Sequence, residues 1–220
     1  RFVKGDVASK GDVANLFKNQ FDIVCHIAGS ASAIKSFLDW ESDVQTNFIG
    51  TMNIVTQCIA KRVPRLLYAS SMTVYGRTNT LPIKEDTPCR PISYYGISKY
   101  ASERFVHASA ERVDLDFPFN VSSFRMFNVY GPRQSLTNPY QGVMAIFIGN
   151  VLRGEPLTIF GDGKQSRDFI YIDDVIDIWV ASIDSKNTFG KVFNVGCGID
   201  ISINKLTRTI IKVLGRNSKT

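Results

Sequence analysis

Tyr95 and Lys99 stand four residues apart in the run Tyr-Gly-Ile-Ser-Lys, a spacing that puts a phenol and an ammonium on one helical face. A free tyrosine, with a pKa near ~10, is a poor base at neutral pH. A lysine beside it favours the phenolate and makes it a usable one. Upstream, Ser70 and Ser71 follow the apolar run 66–69, where the end of a buried strand would present a hydroxyl. Serine, tyrosine and lysine so placed can take a proton from a sugar or alcohol hydroxyl while a nicotinamide takes the hydride. By itself, Tyr-x-x-x-Lys also describes a surface tyrosine lying along a lysine stem. The surrounding elements decide between these readings.

Phe21-Asp-Ile-Val-Cys-His-Ile27 is an apolar run of the kind that forms a strand buried on both faces. Ala28-Gly29-Ser30-Ala31 follows it, small enough to let a ligand approach the backbone. The pattern over 39–60 predicts a helix with Val44, Phe48, Met52 and Val55 on one face. After Pro64, residues 65–69 predict a second strand, ending at Ser70-Ser71. Residues 76–93 contain Gly76, Pro82, Pro88 and Pro91 and read as loop. A second long helix over about 94–113 carries Tyr95 and Lys99, and a third strand over 120–124 ends in Arg125-Met-Phe-Asn128. This alternation predicts an α/β fold with a doubly wound parallel sheet, whose ligands sit beyond the carboxyl ends of the strands. Each polar cluster falls at such an end. That coincidence favours chemistry over a surface tyrosine.

Beyond this region the elements shorten, with helices near 140–153, 173–184 and 202–214, the segments 156–160 and 167–171, and a short strand over 192–195. The 220 residues suggest one domain or one and a fraction, and 44% hydrophobic residues against 21% charged suffice for a sizeable core. No apolar run approaches the ~18 residues of a membrane span. The chain opens on neither a start methionine nor a signal-peptide pattern. Cys25, Cys58, Cys89 and Cys197 lack metal-ligand spacing and read as buried free thiols in a reducing cytoplasm. His26 and His107 share no ligand cluster, so no metal site is expected. A net charge of +6 spread almost evenly carries no nucleic-acid motif. Its densest group, Lys61, Arg62 and Arg65, reads as a solvated helix end.

Taken with their flanks, these segments resemble the extended short-chain dehydrogenase/reductases, specifically the NAD-dependent sugar-nucleotide epimerase/dehydratase group and its UDP-glucose 4-epimerase-like branch. The resemblance rests on Gly5-Asp6-Val7, His26-Ile-Ala-Gly29, Asn47-Phe-Ile-Gly50-Thr51, Ser70-Ser-Met-Thr-Val-Tyr-Gly76, Tyr95-x-x-x-Lys99, Arg125-Met-Phe-Asn-Val-Tyr-Gly-Pro-Arg133, Gly154-Glu-Pro-Leu-Thr-Ile-Phe-Gly-Asp-Gly163 and Arg167-Asp-Phe-Ile-Tyr-Ile-Asp-Asp174. It implies Tyr95 as general acid/base, Lys99 on the nicotinamide ribose and Ser71 on the reacting hydroxyl. It further implies Asp6 and Val7 by the adenine, Ala28 and Gly29 against the dinucleotide, and Asn47 near its ribose or a catalytic water. Asn128, Phe160 and Arg167 would contact a nucleotide-diphosphate sugar, most simply a UDP-sugar. The implied organisation is a partial NAD-binding domain over 1–135 and a partial substrate-binding lobe over 136–220, interleaved with the first. The implied assembly is a homodimer.

The implied reaction is epimerisation at C4 through a transient 4-keto sugar. Met72 and Thr73 occupy the positions of the acidic pair of 4,6-dehydratases and cannot serve as that pair, which disfavours dehydration. A UDP-glucuronate decarboxylase or an N-acetylhexosamine 4-epimerase stays open, as does a non-catalytic nucleotide-sugar-binding fragment. The family's opening strand, glycine-rich turn and helix have no counterpart here, and neither does its C-terminal diphosphate-binding arginine. The segment 2–6 corresponds to the family's third strand, so the chain reads as an interior fragment.

Overall fold

The computed structural model describes residues 2–140 and 142–215. Its first elements are α1 (Lys10–Leu16), β1 (Val24–His26), α2 (Ala33–Leu38), α3 (Trp40–Val44), a π-helical turn (Gln45–Ile49) and α4 (Gly50–Ala60). Then come β2 (Arg65–Ser71), a 3-10 turn (Met72–Tyr75), α5 (Tyr94–Ala110) and β3 (Asn120–Met126). The remainder is β4 (Asn128–Tyr130), α6 (Val143–Arg153), β5 (Ser166–Tyr171), α7 (Ile172–Ala181), a second 3-10 turn (Lys186–Thr188), β6 (Lys191–Val195), β7 (Asp200–Ser202) and α8 (Ile203–Leu214).

The chain folds into two compact units, residues 1–126 with 178–194 and residues 127–177 with 195–220. The first carries the sheet β1-β2-β3-β6. β1 runs parallel to β2 with His26 opposite Tyr68, and β2 parallel to β3 with Ser71 opposite Met126. All seven residues of β2 are buried, as its near-continuous apolar sequence requires of a central parallel strand. Val13, Phe17, Ile54, Val55, Cys58, Leu66, Val106 and Val121 form the core between this sheet and its helices. Because the strands are parallel, the residues that follow β1 and β2 emerge at one edge. In the second unit, β5 pairs parallel with β4 and antiparallel with β7. Its core joins Phe147 and Val151 of α6 to Ile203, Leu206 and Ile210 of α8.

Four expectations need correction. Residues 2–6 form no strand, because no described strand offers them a ladder. Asn53 instead pins this segment to α4, its amide donating to the carbonyls of Val7 (2.9 Å) and Ala8 (3.2 Å). The single helix over 39–60 is broken: Asp39 caps α3 by accepting from the Ser42 N–H at 3.1 Å, and a π turn separates α3 from α4. The buried stripe here is Asp43, Asn47 and Thr51, whereas Val44 and Phe48 line an open apolar hollow of about 310 Å³. Polar residues can take the inner face because each finds a partner there.

The four cysteines are free, but only Cys58 is buried, and Cys25 and Cys197 are exposed. Arg65 is no solvated helix end. It opens β2 in a buried position, and its guanidinium donates to the Ser182 carbonyl (2.8 Å), the Ser122 hydroxyl (2.9 Å) and the Thr188 hydroxyl (2.9 Å). Among the described residues no cluster of three metal-ligating side chains exists, and no helix is long and apolar enough to cross a membrane.

Candidate active site

The Ser93 hydroxyl caps α5 by accepting from the Gly96 N–H at 3.0 Å, which sets Tyr95 in the first turn and Lys99 one turn later. The Tyr95 N–H donates to the Ser36 hydroxyl at 3.0 Å, and Ser36 donates to the Ala33 carbonyl at 2.7 Å, tying α2 to the start of α5. Tyr95 is half-buried and Lys99 is buried, its ammonium 4.5 Å from the centre of the Tyr68 ring. Burial lowers the Lys99 pKa from its ordinary value, while Tyr95, Asp43 and Glu103 oppose that shift electrostatically.

Asn47 holds the loop after β1 over this lysine. Its Oδ1 accepts from the Ser30 N–H at 2.9 Å, and its Nδ2 donates to Asp43 Oδ1 at 3.0 Å and to the Ser98 hydroxyl at 3.3 Å. Its carbonyl accepts from Thr51 (2.6 Å) and Ser102 (2.9 Å), so both ends of the residue are fixed. Ala28 and Gly29 are exposed at the crest of this loop. A Cβ on Gly29 would lie 2.8 Å from Asn47 Oδ1 and 3.8 Å from Lys99 Nζ. Only glycine lets the backbone come this close to both groups.

Ser71 ends β2. Its oxygen accepts from the Thr73 hydroxyl at 2.9 Å and the Thr73 N–H at 3.3 Å, which leaves its own proton to donate. The neighbouring Ser70 donates to Glu103 Oε2 at 2.6 Å. Glu103 takes two bonds from Arg125, and Arg125 donates to the Tyr75 hydroxyl at 2.8 Å. Tyr75 donates in turn to Asn194 at 2.6 Å. This buried network fixes the end of β2 against α5, and the sequence reading missed it. The available signal was Glu103 four residues after Lys99, on the same helical face.

The other expected residues have the following places. The Asp6 carboxylate accepts from the Ala8 N–H at 2.9 Å, closing a turn, and its own N–H donates to Asp12 at 2.9 Å. Val7 is partly buried against the core. In the second unit, the Asn128 amide donates to the Asp168 carbonyl at 2.8 Å, across the β4–β5 pair. Phe160 is 81% exposed, and Arg167 is exposed on β5 opposite Ile201. The Asp168 carboxylate holds the turn after β6, accepting from the N–H groups of Cys197 (2.9 Å) and Gly198 (2.8 Å).

Residues 1–196 match the sequence profile of the NAD dependent epimerase/dehydratase family. The chain belongs to that family. UDP-glucose 4-epimerase of Mycolicibacterium smegmatis is 33% identical to it over 97% of the chain and 67% of the relative. UDP-N-acetyl-alpha-D-glucosaminuronate decarboxylase of Bacillus cytotoxicus is 32% identical over 91% of the chain and 62% of the relative. The structure of Thermotoga maritima UDP-glucose 4-epimerase with UDP-glucose superposes with a TM-score of 0.92 at 30% identity, covering 99% of this chain and 69% of that one. The chain thus spans roughly two thirds of such relatives. Its α/β architecture is that of the epimerase structures, as the order of its strands and helices predicts.

Within this family a dinucleotide must approach the backbone closely. The bare crest at Gly29, with the Asn47 amide and the Lys99 ammonium at its flank, fits that demand.

Proposed function

We propose that this chain carries the catalytic machinery of an NAD-dependent 4-epimerase acting on a UDP-hexose of the glucose/galactose type. The observation that carries the reading is the junction of Gly29, Asn47 and Lys99 at the carboxyl edge of a parallel sheet, with Tyr95 one turn before Lys99 on the same helix. In this reading Asp6, Val7, Ala28, Gly29, Asn47, Tyr95 and Lys99 hold NAD, which supplies the hydride acceptor. Ser71, Asn128, Phe160 and Arg167 contact the nucleotide-sugar.

The chain's own part is proton control and orientation. Lys99 favours the Tyr95 phenolate, which removes the proton from the sugar 4-hydroxyl as hydride leaves C4. Ser71 donates to the same oxygen and holds it in line. When the 4-keto sugar presents its other face, the hydride returns and the Tyr95 hydroxyl gives its proton back to O4. Thr73 donates to Ser71 and Met72 has no acid to offer, so no residue pair beside Ser71 can eliminate water.

Incubating the full-length protein with UDP-galactose and NAD tests this reading, with UDP-glucose expected as product. Recovery of unchanged UDP-galactose by an enzyme that retains NAD would remove the hexose assignment. The decarboxylase relative motivates a second reading, removal of CO2 from a UDP-hexuronate. Release of CO2 in place of a C4 epimer would establish it.

The apolar hollow lined by Trp40, Val44, Phe48, Tyr94, Ile97 and Ala101 supports the homodimer reading. Trp40, Tyr94 and Ile97 are each about half exposed, a costly display unless a second copy covers it.

A further inference from the structure

We propose that Asp43 is a positioning residue for Lys99, a counter-charge held one hydrogen-bonded layer away so that the ammonium stays protonated while its N–H donors stay open. This rests on the reading that Lys99 serves the site. Asp43 is 1% exposed, yet no described ion pair neutralises it. Its carboxylate instead accepts from two neutral groups, the Ser98 hydroxyl at 2.5 Å and the Asn47 amide at 3.0 Å. Ser98 is the residue next to Lys99 on α5, and Asn47 flanks the Lys99 ammonium at Gly29.

A carboxylate in direct contact would occupy the lysine's donors. Set back behind Ser98 and Asn47, it supplies field without contact. In a low-dielectric interior that field is still felt across several ångströms.

The other charged and titratable groups around Lys99 leave this role to Asp43. On α5, Glu103 is already spent in a bidentate pair with Arg125. Tyr95 bears on the lysine from the preceding turn. From β1, His26 is buried and its pKa is pulled down to about 3, by burial first and then by Lys99, so it is neutral at ordinary pH. From β2, Tyr68 presents its ring face to the ammonium. Asp43 is therefore the one buried carboxylate near Lys99, among the described residues, that no cation pairs.

The test reads the charge of Lys99 directly and needs neither substrate nor cofactor. Full-length protein carrying 13Cε-labelled lysine is titrated by proton–carbon NMR, with the Lys99 signal assigned by its loss in Lys99→Met. Asp43→Asn is expected to lower the Lys99 midpoint by about one pH unit, the lower end of what one nearby opposite charge does. Ser98→Ala removes the same hydrogen bond but keeps the carboxylate, and the midpoint should stay at or above the wild-type value. An unmoved midpoint in Asp43→Asn, or an equal drop in both variants, would overturn the proposal. Should Asp43→Asn not fold, a drop in Ser98→Ala, or a wild-type Lys99 that is already neutral at neutral pH, overturns it equally. A protein that shows this response but turns over no nucleotide-sugar would refute the epimerase reading and leave the counter-charge intact.

Discussion

Arg125 and Glu103 face each other as a fork: Nη2 lies 2.6 Å from Oε1 and Nε 3.0 Å from Oε2, with side chains only 6% and 3% exposed. The pair joins the end of β3 to the middle of α5, directly behind Ser70. Removing one partner strands a buried charge, which typically costs about 3–5 kcal/mol. Glu103→Gln is therefore expected to lower the stability of the chain by that amount in urea unfolding. Ser70→Ala, which removes one neutral donor to the same carboxylate, should cost closer to ~1–2 kcal/mol. Equal and small losses in both would show that the pair adds nothing beyond packing.

Tyr95→Phe keeps the ring and removes the proton carrier. Loss of positioned acid/base catalysis is worth typically ~10²–10⁴-fold in rate. Turnover of the nucleotide-sugar is expected to fall by that factor, with affinity for NAD nearly unchanged because Lys99 and Asn47 remain. Turnover within a few-fold of the parent would show that another group moves the proton.

The residues of this reaction were legible in the chain because they combine two independent signals. Ser71 and Gly29 follow apolar strand runs, and Tyr95 and Lys99 hold the helical spacing, so sheet edge and helix face could be inferred together. The stripe Asp43, Asn47, Thr51 was not legible as a buried one, because hydrophobic periodicity assumes that apolar residues point inward. Here Thr51 bonds His26 and Asn47, and Asp43 bonds Ser98, so the polar face is satisfied inside the fold. Val44 and Phe48 are left to the outer hollow. Arg65 misled for the same reason. Its partners Ser122, Ser182 and Thr188 lie 57 to 123 residues away, beyond any local pattern.

Gly76 ends the turn after β2 with φ +65°, and a Cβ there would overlap the carbonyl oxygen of Arg90. A side chain would meet both backbone strain and a backbone collision. Gly76→Ala is expected to destabilise by more than ~1 kcal/mol in chemical unfolding. An unchanged midpoint would mean that the loop before α5 shifts freely and does not fix Ser71 against it.

Ile97 lies on the outer face of α5, 51% exposed beside the hollow that holds Trp40 and Tyr94. If a second copy covers this face, a buried unpaired carboxylate there opposes association strongly. Ile97→Glu should shift sedimentation of the full-length protein from dimer to monomer with its circular dichroism unchanged. A parent protein that sediments as a monomer at micromolar concentration would remove the dimer proposal, and an unshifted dimer would place its interface elsewhere.

His26 makes stability depend on pH in a defined window. Its ring is buried, its Nε2 bonds the Thr51 hydroxyl at 2.9 Å, and burial followed by the Lys99 charge pulls its pKa down to about 3. The unfolded chain protonates this imidazole near its ordinary value of ~6.5. Between these two values the unfolded state binds a proton that the folded state refuses, so stability rises with pH there and is flat above. The slope from this one group approaches ~1.4 kcal/mol per pH unit within the window. His107 is shifted in the same direction, by burial first, so the two must be separated by substitution. Urea unfolding of the parent and of His26→Gln from pH 7 down to 4.5 does so, because glutamine cannot take up the proton. The difference in stability between the two should narrow steadily as the pH falls below ~6.5. A difference that stays constant across that range would mean that the imidazole protonates in the folded chain about as easily as in the unfolded one.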